Sequence, residues 1–243
     1  MNWSDQGIIV SVRPHGESAA IVEVLTREHG RHAGLVYGGR SRRLRPVLQI
    51  GNYIEVTWKG RLAEHLGFMT VELRKSYAAS AMEDAWALAG LASMCALARL
   101  LPERDPHPRV YDVTLYVLGF LSDAAVWPAL YVRWELVLLA ELGFGLDLSA
   151  CASTGATEDL VYVSPKSGCA VSAAAGEPYR DRLLQLPTFL KGGCSREVTR
   201  SDVLAGLALT GHFLEARILR PRGLAFPDAR QHLTALIARA KDV

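Results

Sequence analysis

Five β-type runs crowd into the first 76 residues, and a turn signal separates almost every pair of them. GIIVSVRP (7–14), AAIVEVLTRE (19–28), RHAGLVYGG (31–39), NYIEVTWKG (52–60) and AEHLGFMTVELRKS (63–76) are rich in β-branched and aromatic residues, which suit a pleated, half-buried surface. Pro14-His15-Gly16, His29-Gly30, Gly38-Gly39, Gly51-Asn52 and Gly60 punctuate them and predict hairpins. No helical period here is strong enough for a βαβ unit. Five short strands in under eighty residues therefore predict a small barrel of the OB or SH3 type. The long connection at residues 40–50 favours the OB order over a plain meander.

After Ser76 the pattern changes. SAMEDAWALAGLASMCALARLLPE (80–103) is rich in Ala and Leu and opens with Ser80-x-x-Glu83, a capping-box pattern. A second helix is expected from Pro108 and a third from Pro128 to a stop at Gly143, proline being tolerated in the first turn. Trp86, Met94, Tyr116, Phe120 and Trp134 fall at helical spacings and read as core. Residues 145–180 interrupt this with Gly, Ser, Thr and Ala around one β-run, Leu160 to Ser164, and predict a small inserted loop-and-hairpin lobe. Further helices are expected from Thr199, where Thr199-x-x-Asp202 again has a capping-box look, and from Pro227. The expected class is α+β: a five-stranded OB-fold barrel at 1–78, then a mostly helical domain at 79–243 carrying the lobe. With half of 243 residues hydrophobic, a sizeable core is expected.

The net charge of +2 is unevenly placed. Residues 1–77 hold 11 Lys/Arg against 7 Asp/Glu, and no acidic residue occurs between Glu28 and Glu55, where Arg31, Arg40, Arg42, Arg43 and Arg45 all lie. GGRSRRLRP (38–46) places four arginines in six positions. Such a cluster is the footprint of an approaching polyanion, with a solvated loop as the competing explanation. Lys59 and Arg61 follow in the next turn, and Tyr37, Tyr53 and Trp58 are interleaved on strands. Single-stranded nucleic acid is held by a positive groove that tracks phosphates and by aromatic faces that accept bases. Strand alternation suits Tyr53 and Trp58 equally well to the barrel interior. Gly38 and Gly39 permit backbone geometries that approach a phosphate, and arginine offers forked donors matched to its oxygens.

Other chemistries lack support. The chain has no GxSxG elbow, Walker A loop, HExxH pair or GxGxxG following a strand, so neither catalysis nor a cofactor is expected. His29 and His32 flank a glycine turn and read as surface histidines. Cys95, Cys151, Cys169 and Cys194 form no C-x-x-C pair, which fits reduced thiols in a cytoplasmic protein. Thr154 and Ser172 stand three residues after Cys151 and Cys169, and neutral hydroxyls are poor zinc ligands beside thiolates. The opening Met1 to Ile9 has no apolar core, and the apolar Leu136–Leu139 is short and flanked by charge, so neither secretion nor a membrane span is expected.

Three segments carry a resemblance to a known family: VRPHGESAAIVEVLTREHGRHAGLVYGGRSRR (12–43), LQIGNYIEVTWKGR (48–61) and RWELVLLAELGFGLDLSACASTG (133–155). In this order and spacing they resemble the RecO recombination mediators, bacterial DNA-repair proteins with an N-terminal OB-fold and a helical C-terminal domain. The resemblance implies binding of single- and double-stranded DNA and annealing of complementary strands. With the partner RecR, it implies loading of RecA onto DNA coated by single-stranded-DNA-binding protein, without nucleotide hydrolysis. It also implies docking of the acidic tail of single-stranded-DNA-binding protein, for which Arg133 and, more weakly, Arg99 are candidate contacts. Some members carry a four-cysteine zinc lobe, and Thr154 and Ser172 occupy the places of its second cysteines. Arg31, Arg40, Arg42, Arg43, Arg45, Lys59, Arg61 and Tyr37 form the expected DNA-binding set. An RNA-binding OB protein and a non-catalytic adaptor are the rival readings.

Overall fold

The computed structural model describes residues 1–62, 64–191 and 197–239, so Cys194 lies outside the described residues. The chain divides into two compact units, residues 1–124 with 227–233, and residues 125–226 with those from 234.

In the first unit β1 (Asn2–His15), β2 (Ala19–Thr26), β3 (Arg31–Val36), β4 (Tyr53–Lys59) and β5 (Phe68–Lys75) close into a barrel of order β1-β2-β3-β5-β4. All pairings are antiparallel except β3 with β5, which meet in parallel at Leu35 and Phe68. This is the OB order. Closure depends on β1, whose first half pairs with β4 and whose second half pairs with β2, with a bulge between Ile9 and Ser11. One extra residue bends the strand and lets it serve both neighbours. Where the two pairings overlap, a side chain at Gly7 would run into Val24 Cγ1 at 2.2 Å, so only glycine fits. Asn2 to Gln6 extend β1 beyond the expected run because their pairing with β4, not their propensity, makes them a strand.

Ile9, Val22, Val24, Ile54, Val56 and Trp58 fill the barrel. His32 joins them at 4 % exposure, T-shaped against Trp58 at 4.9 Å and Trp3 at 5.1 Å. The expectation of a surface histidine is corrected here: His32 sits on the inward side of β3, in the alternation that also buries Gly34 and Val36. His29 stacks on Trp3 at 4.1 Å and lies 3.2 Å from Asp5 through its Nδ1.

Helices follow as α1 (Tyr77–Ala81), α2 (Ala85–Ala98) and α3 (Pro108–Gly119). The Ser80/Glu83 capping box does not form. Ser76 caps α1 instead, which places Ser80 inside that helix, and Asp84 caps α2 by accepting from the Trp86 and Ala87 amides at 2.6 and 3.1 Å. Met94 is buried as expected, whereas Tyr116 is exposed on α3 with Phe120 beside it at 4.9 Å.

In the second unit α4 (Trp127–Glu141) ends before Gly143, which has φ +88°. The lobe is a three-stranded antiparallel sheet of β6 (Leu160–Val163), β7 (Ala170–Ser172) and β8 (Leu184–Gln185), in the order β7-β6-β8, with the short α5 (Ala173–Gly176) after β7. The Cys151 sulfur accepts from the Ser172 amide at 3.3 Å and lies 3.4 Å from Ser153 Oγ. Hydrogen bonding, led by Ser153, pulls this thiol down to about 5. The two loops are also joined by Ala152 N–H to the Ala170 carbonyl at 2.9 Å. Among the described residues no three His, Cys, Asp or Glu converge to hold a metal, so this donor set does not fit the zinc of four-cysteine lobes.

α6 (Arg200–Phe213) starts on the expected Thr199/Asp202 capping box, both arms of which form. It widens into a π-helical stretch at Leu214–Leu219, and α7 (Asp228–Arg239) follows. Fully buried Glu135 on α4 accepts from Tyr131 Oη at 3.0 Å and from Thr210 Oγ1 of α6. Among the described residues no helix is long and apolar enough to cross a membrane.

Burial, with Arg104 and His29 nearby, holds the His32 imidazole down from 6.5 to about 4. The unfolded chain thus takes up a proton between these values that the folded chain refuses. Stability should fall as pH drops from 6.5 to 4, by up to about 3 kcal/mol from this group. Urea unfolding across that range should show a steeper loss for the native chain than for His32→Leu; parallel pH profiles would remove the assignment.

Candidate nucleic-acid interface

The connection from β3 to β4 is a built structure. Ser41 N–H donates to the Gly38 carbonyl, Arg45 N–H to Ser41 and Leu48 N–H to Leu44, at 2.8, 3.0 and 2.8 Å, so the chain coils in successive turns. Leu48 is buried in the barrel core, and Leu44 and Val47 pack against it. These apolar residues face inward and leave the arginines between them outward. Gly38, at φ +63°, turns the chain out of β3. Gly39 lies so close to the barrel that an added Cβ would sit 2.8 Å from Ala20 Cβ.

Asn52 fastens the far end. It is fully buried, donates from Nδ2 to the Pro46 and Val47 carbonyls at 3.0 Å each, and accepts at Oδ1 from Ser76 Oγ (3.1 Å) and Ala78 N–H (3.2 Å). One side chain thus ties the basic connection to the start of α1. Sequence reading missed it, the only hint being a polar residue after Gly51 at a strand entrance.

Arg40, Arg42, Arg43 and Arg45 are all exposed. Arg40 donates from Nη1 to the Gly16 and Glu17 carbonyls at 3.2 and 3.0 Å, which locks it over the β1–β2 turn without neutralising it. Among the described residues no carboxylate pairs with any of the four. Lys59 and Arg61 are exposed around Gly60.

Tyr37, 67 % exposed, stacks on Phe68, 49 % exposed, with centroids 5.1 Å apart and planes 17° from parallel. Phe68 is the cross-strand neighbour of Lys59, and Tyr37 immediately precedes Gly38. Lys59, Phe68 and Tyr37 therefore line up across neighbouring strands and lead in the chain, through Gly38 and Gly39, into the arginine turns, a strip of cation and ring. Phe68 escaped the sequence reading, although its alternation with buried Met69 and Val71 signals an outward ring. Trp58 is core, its Nε1 donating to the Leu66 carbonyl at 3.0 Å, and Tyr53 is engaged by Gln6.

Two expected contacts lie elsewhere. Glu23, on the outer side of β2 and 3 % exposed, draws Arg31 to 2.8 Å and Arg99 to 3.3 Å. Arg31 also donates from Nε to the Leu101 carbonyl at 3.0 Å and is largely buried. A buried carboxylate requires such partners. Arg31 and Arg99, expected as a phosphate contact and a tail contact, are thus both engaged by Glu23 within the fold, Arg31 largely buried and Arg99 still 45 % exposed. In the second unit Arg133 is exposed on α4, with Nη2 donating to the Phe189 carbonyl.

Fold and surface define a class: an OB-barrel protein with an attached helical region and an uncompensated cationic strip. The family models for the N-terminal and C-terminal parts of recombination protein O match residues 1–77 and 82–224. The chain is 54 % identical over 240 residues to the DNA repair protein RecO of Methylobacterium nodulans, covering 97 % of this chain and 98 % of that one. It is 52 % identical over 243 residues to the protein of that name from Rhodopseudomonas palustris strain TIE-1 (99 % and 97 %), and 52 % over 240 residues to that from Beijerinckia indica (98 % and 96 %). The chain belongs to the RecO family of DNA-repair proteins.

Replacing Asn52 by Ala removes two donated and two accepted bonds from a buried site. It should cost about 2–3 kcal/mol, read as a lower urea midpoint. It should also increase protease cutting within residues 40–50.

Proposed function

We propose that the barrel, residues 1–78, is the DNA-binding domain of this repair protein, acting in the cytoplasm on single- and double-stranded DNA. The observation that carries the reading is the run of four exposed arginines, without a carboxylate partner among the described residues, that follows in the chain directly after the Tyr37–Phe68 stack. Arg40, Arg42, Arg43 and Arg45, with Lys59 and Arg61, hold phosphates, while the paired rings offer a face to bases. Two complementary strands repel one another; lying along a surface that neutralises both, they come close enough to pair. The residues do this by binding and charge compensation, with no nucleotide hydrolysed. The same reading, in line with the family, has the protein work with RecR to load RecA onto DNA coated by single-stranded-DNA-binding protein. Arg133, exposed on the second unit beside buried Phe189, is the proposed contact for the carboxylate of that protein's acidic tail.

Engagement of four to six phosphates on a single strand should give a log–log slope of affinity against salt of about −3 to −4. Replacing the four loop arginines by alanine should flatten that slope by roughly 3 and abolish annealing; an unchanged slope would sink the proposal. Matched DNA and RNA oligonucleotides in competition distinguish a DNA protein from an RNA-binding barrel. Arg133→Ala should weaken binding of the tail peptide about tenfold or more while leaving DNA affinity unchanged.

A further inference from the structure

One cavity lies beneath the basic turns and is not needed for gripping phosphates. It has a volume of about 440 Å³ and opens between the end of β1, the start of β2 and the arginine connection. Its floor and walls are Val12, Pro14, Ala20 and Leu48, and its rim carries Arg40 and Arg45. Among the described residues no acidic side chain lines it. The chemistry is thus split: an apolar interior and a cationic mouth.

The cavity is held open by specific features. Gly39 passes within contact of Ala20 and Leu48, so the backbone carrying Arg40 lies against the barrel wall. The two carbonyl acceptors from the β1–β2 turn hold the Arg40 guanidinium at the rim through a single nitrogen, Nη1. Arg45, on the opposite turn, has no carboxylate partner among the described residues. Arg42 and Arg43 lie between them in the chain and do not line the cavity.

We propose that this cavity receives one unstacked base of a bound single strand, with Arg40 and Arg45 on its flanking phosphates. The inference rests on the reading of the loop as a DNA contact and adds a base-binding subsite to it. The size lies within the range of small-ligand pockets, about 300–1,000 Å³. An apolar interior with cations at the mouth matches a flat base whose charge lies on its phosphate side. Turning a base out is least costly from a single strand, so the subsite favours single strands over duplex. A base removed from the stack also kinks the strand, which separates its neighbours from one another and leaves their pairing edges open to a second strand.

The test uses the full chain, a deoxyadenosine oligonucleotide containing one 2-aminopurine, and an abasic strand of equal length. On saturation with the native protein, 2-aminopurine fluorescence should rise about threefold or more as the probe leaves the stack. Stacking on Tyr37 or Phe68 would quench it instead. The abasic strand should bind about tenfold more weakly, the effect of losing one or more base contacts. Val12→Trp fills the cavity and keeps every arginine. It should lose the fluorescence rise and bind the base-bearing strand several-fold more weakly, with abasic affinity and salt slope unchanged. The measurement on the native protein stands even if that variant folds poorly. Absence of the fluorescence rise at saturation, or a folded Val12→Trp protein that retains both the rise and the affinity, overturns the subsite. Normal abasic binding with a normal salt slope then preserves the loop reading, whereas failure of both strands to bind removes both.

Discussion

Glu23 sets the electrostatic plan of the first unit. A carboxylate 3 % exposed on the outside of a strand is tolerable only with cations against it. Arg31 and Arg99 supply them at 2.8 and 3.3 Å, and Arg13 adds a longer contact at 3.5 Å. Holding Arg31 also fixes the segment after α2: the Arg31 side chain reaches the Leu101 carbonyl, and the Arg31 carbonyl accepts from Arg104 N–H at 2.8 Å. Arg104 in turn donates to the Glu64 carbonyl at 2.9 Å, steadying the turn after Lys59. The segment 99–105 lies so close to Gly30 that a Cβ there would meet the Asp105 carbonyl at 2.2 Å.

This arrangement has a cost for binding. The outer face of strands β2 and β3 is the usual oligonucleotide surface of an OB barrel, and here the segment after α2 lies against its end at Gly30 and Arg31 while Glu23 draws in Arg31, Arg99 and Arg13. The rim remains free: the β3–β4 connection, the Gly60 turn and the Tyr37–Phe68 pair. The cationic strip thus lies on the loops, while the arginines nearest the strand face are held by Glu23.

Much of this was legible in the sequence. The five strands and the arginine run follow from local patterns, because β-branched alternation and glycine turns are short-range signals, whereas for the barrel order, set by the long-range β1–β4 and β3–β5 pairings, the long 40–50 connection was the one hint. The partition of the arginines was not legible: Arg31 and Arg40 look alike in the acid-free stretch, and only Glu23, eight residues before Arg31 but its cross-strand diagonal neighbour, separates them. Asn52 and Phe68 were missed for a related reason, since their roles depend on Ser76, Pro46 and Tyr37, brought to them by the barrel. The Ser80/Glu83 box failed because Ser76, four residues earlier, starts a short helix first, and the cap then passes to Asp84.

Two kinds of cation thus coexist within a few strands, and their difference explains why one set is suited to a ligand. Those around Glu23 share a buried carboxylate, and Arg31 also meets Glu103, so their charge is partly compensated within the fold and they contribute rigidity. Those between Gly38 and Pro46 have no carboxylate partner among the described residues, and four like charges in six residues repel one another at short range. That repulsion opposes the compact turns that Leu44, Val47, Leu48 and Asn52 hold in place. In the proposed function a phosphate backbone bound there relieves this repulsion, so that binding and loop order reinforce each other.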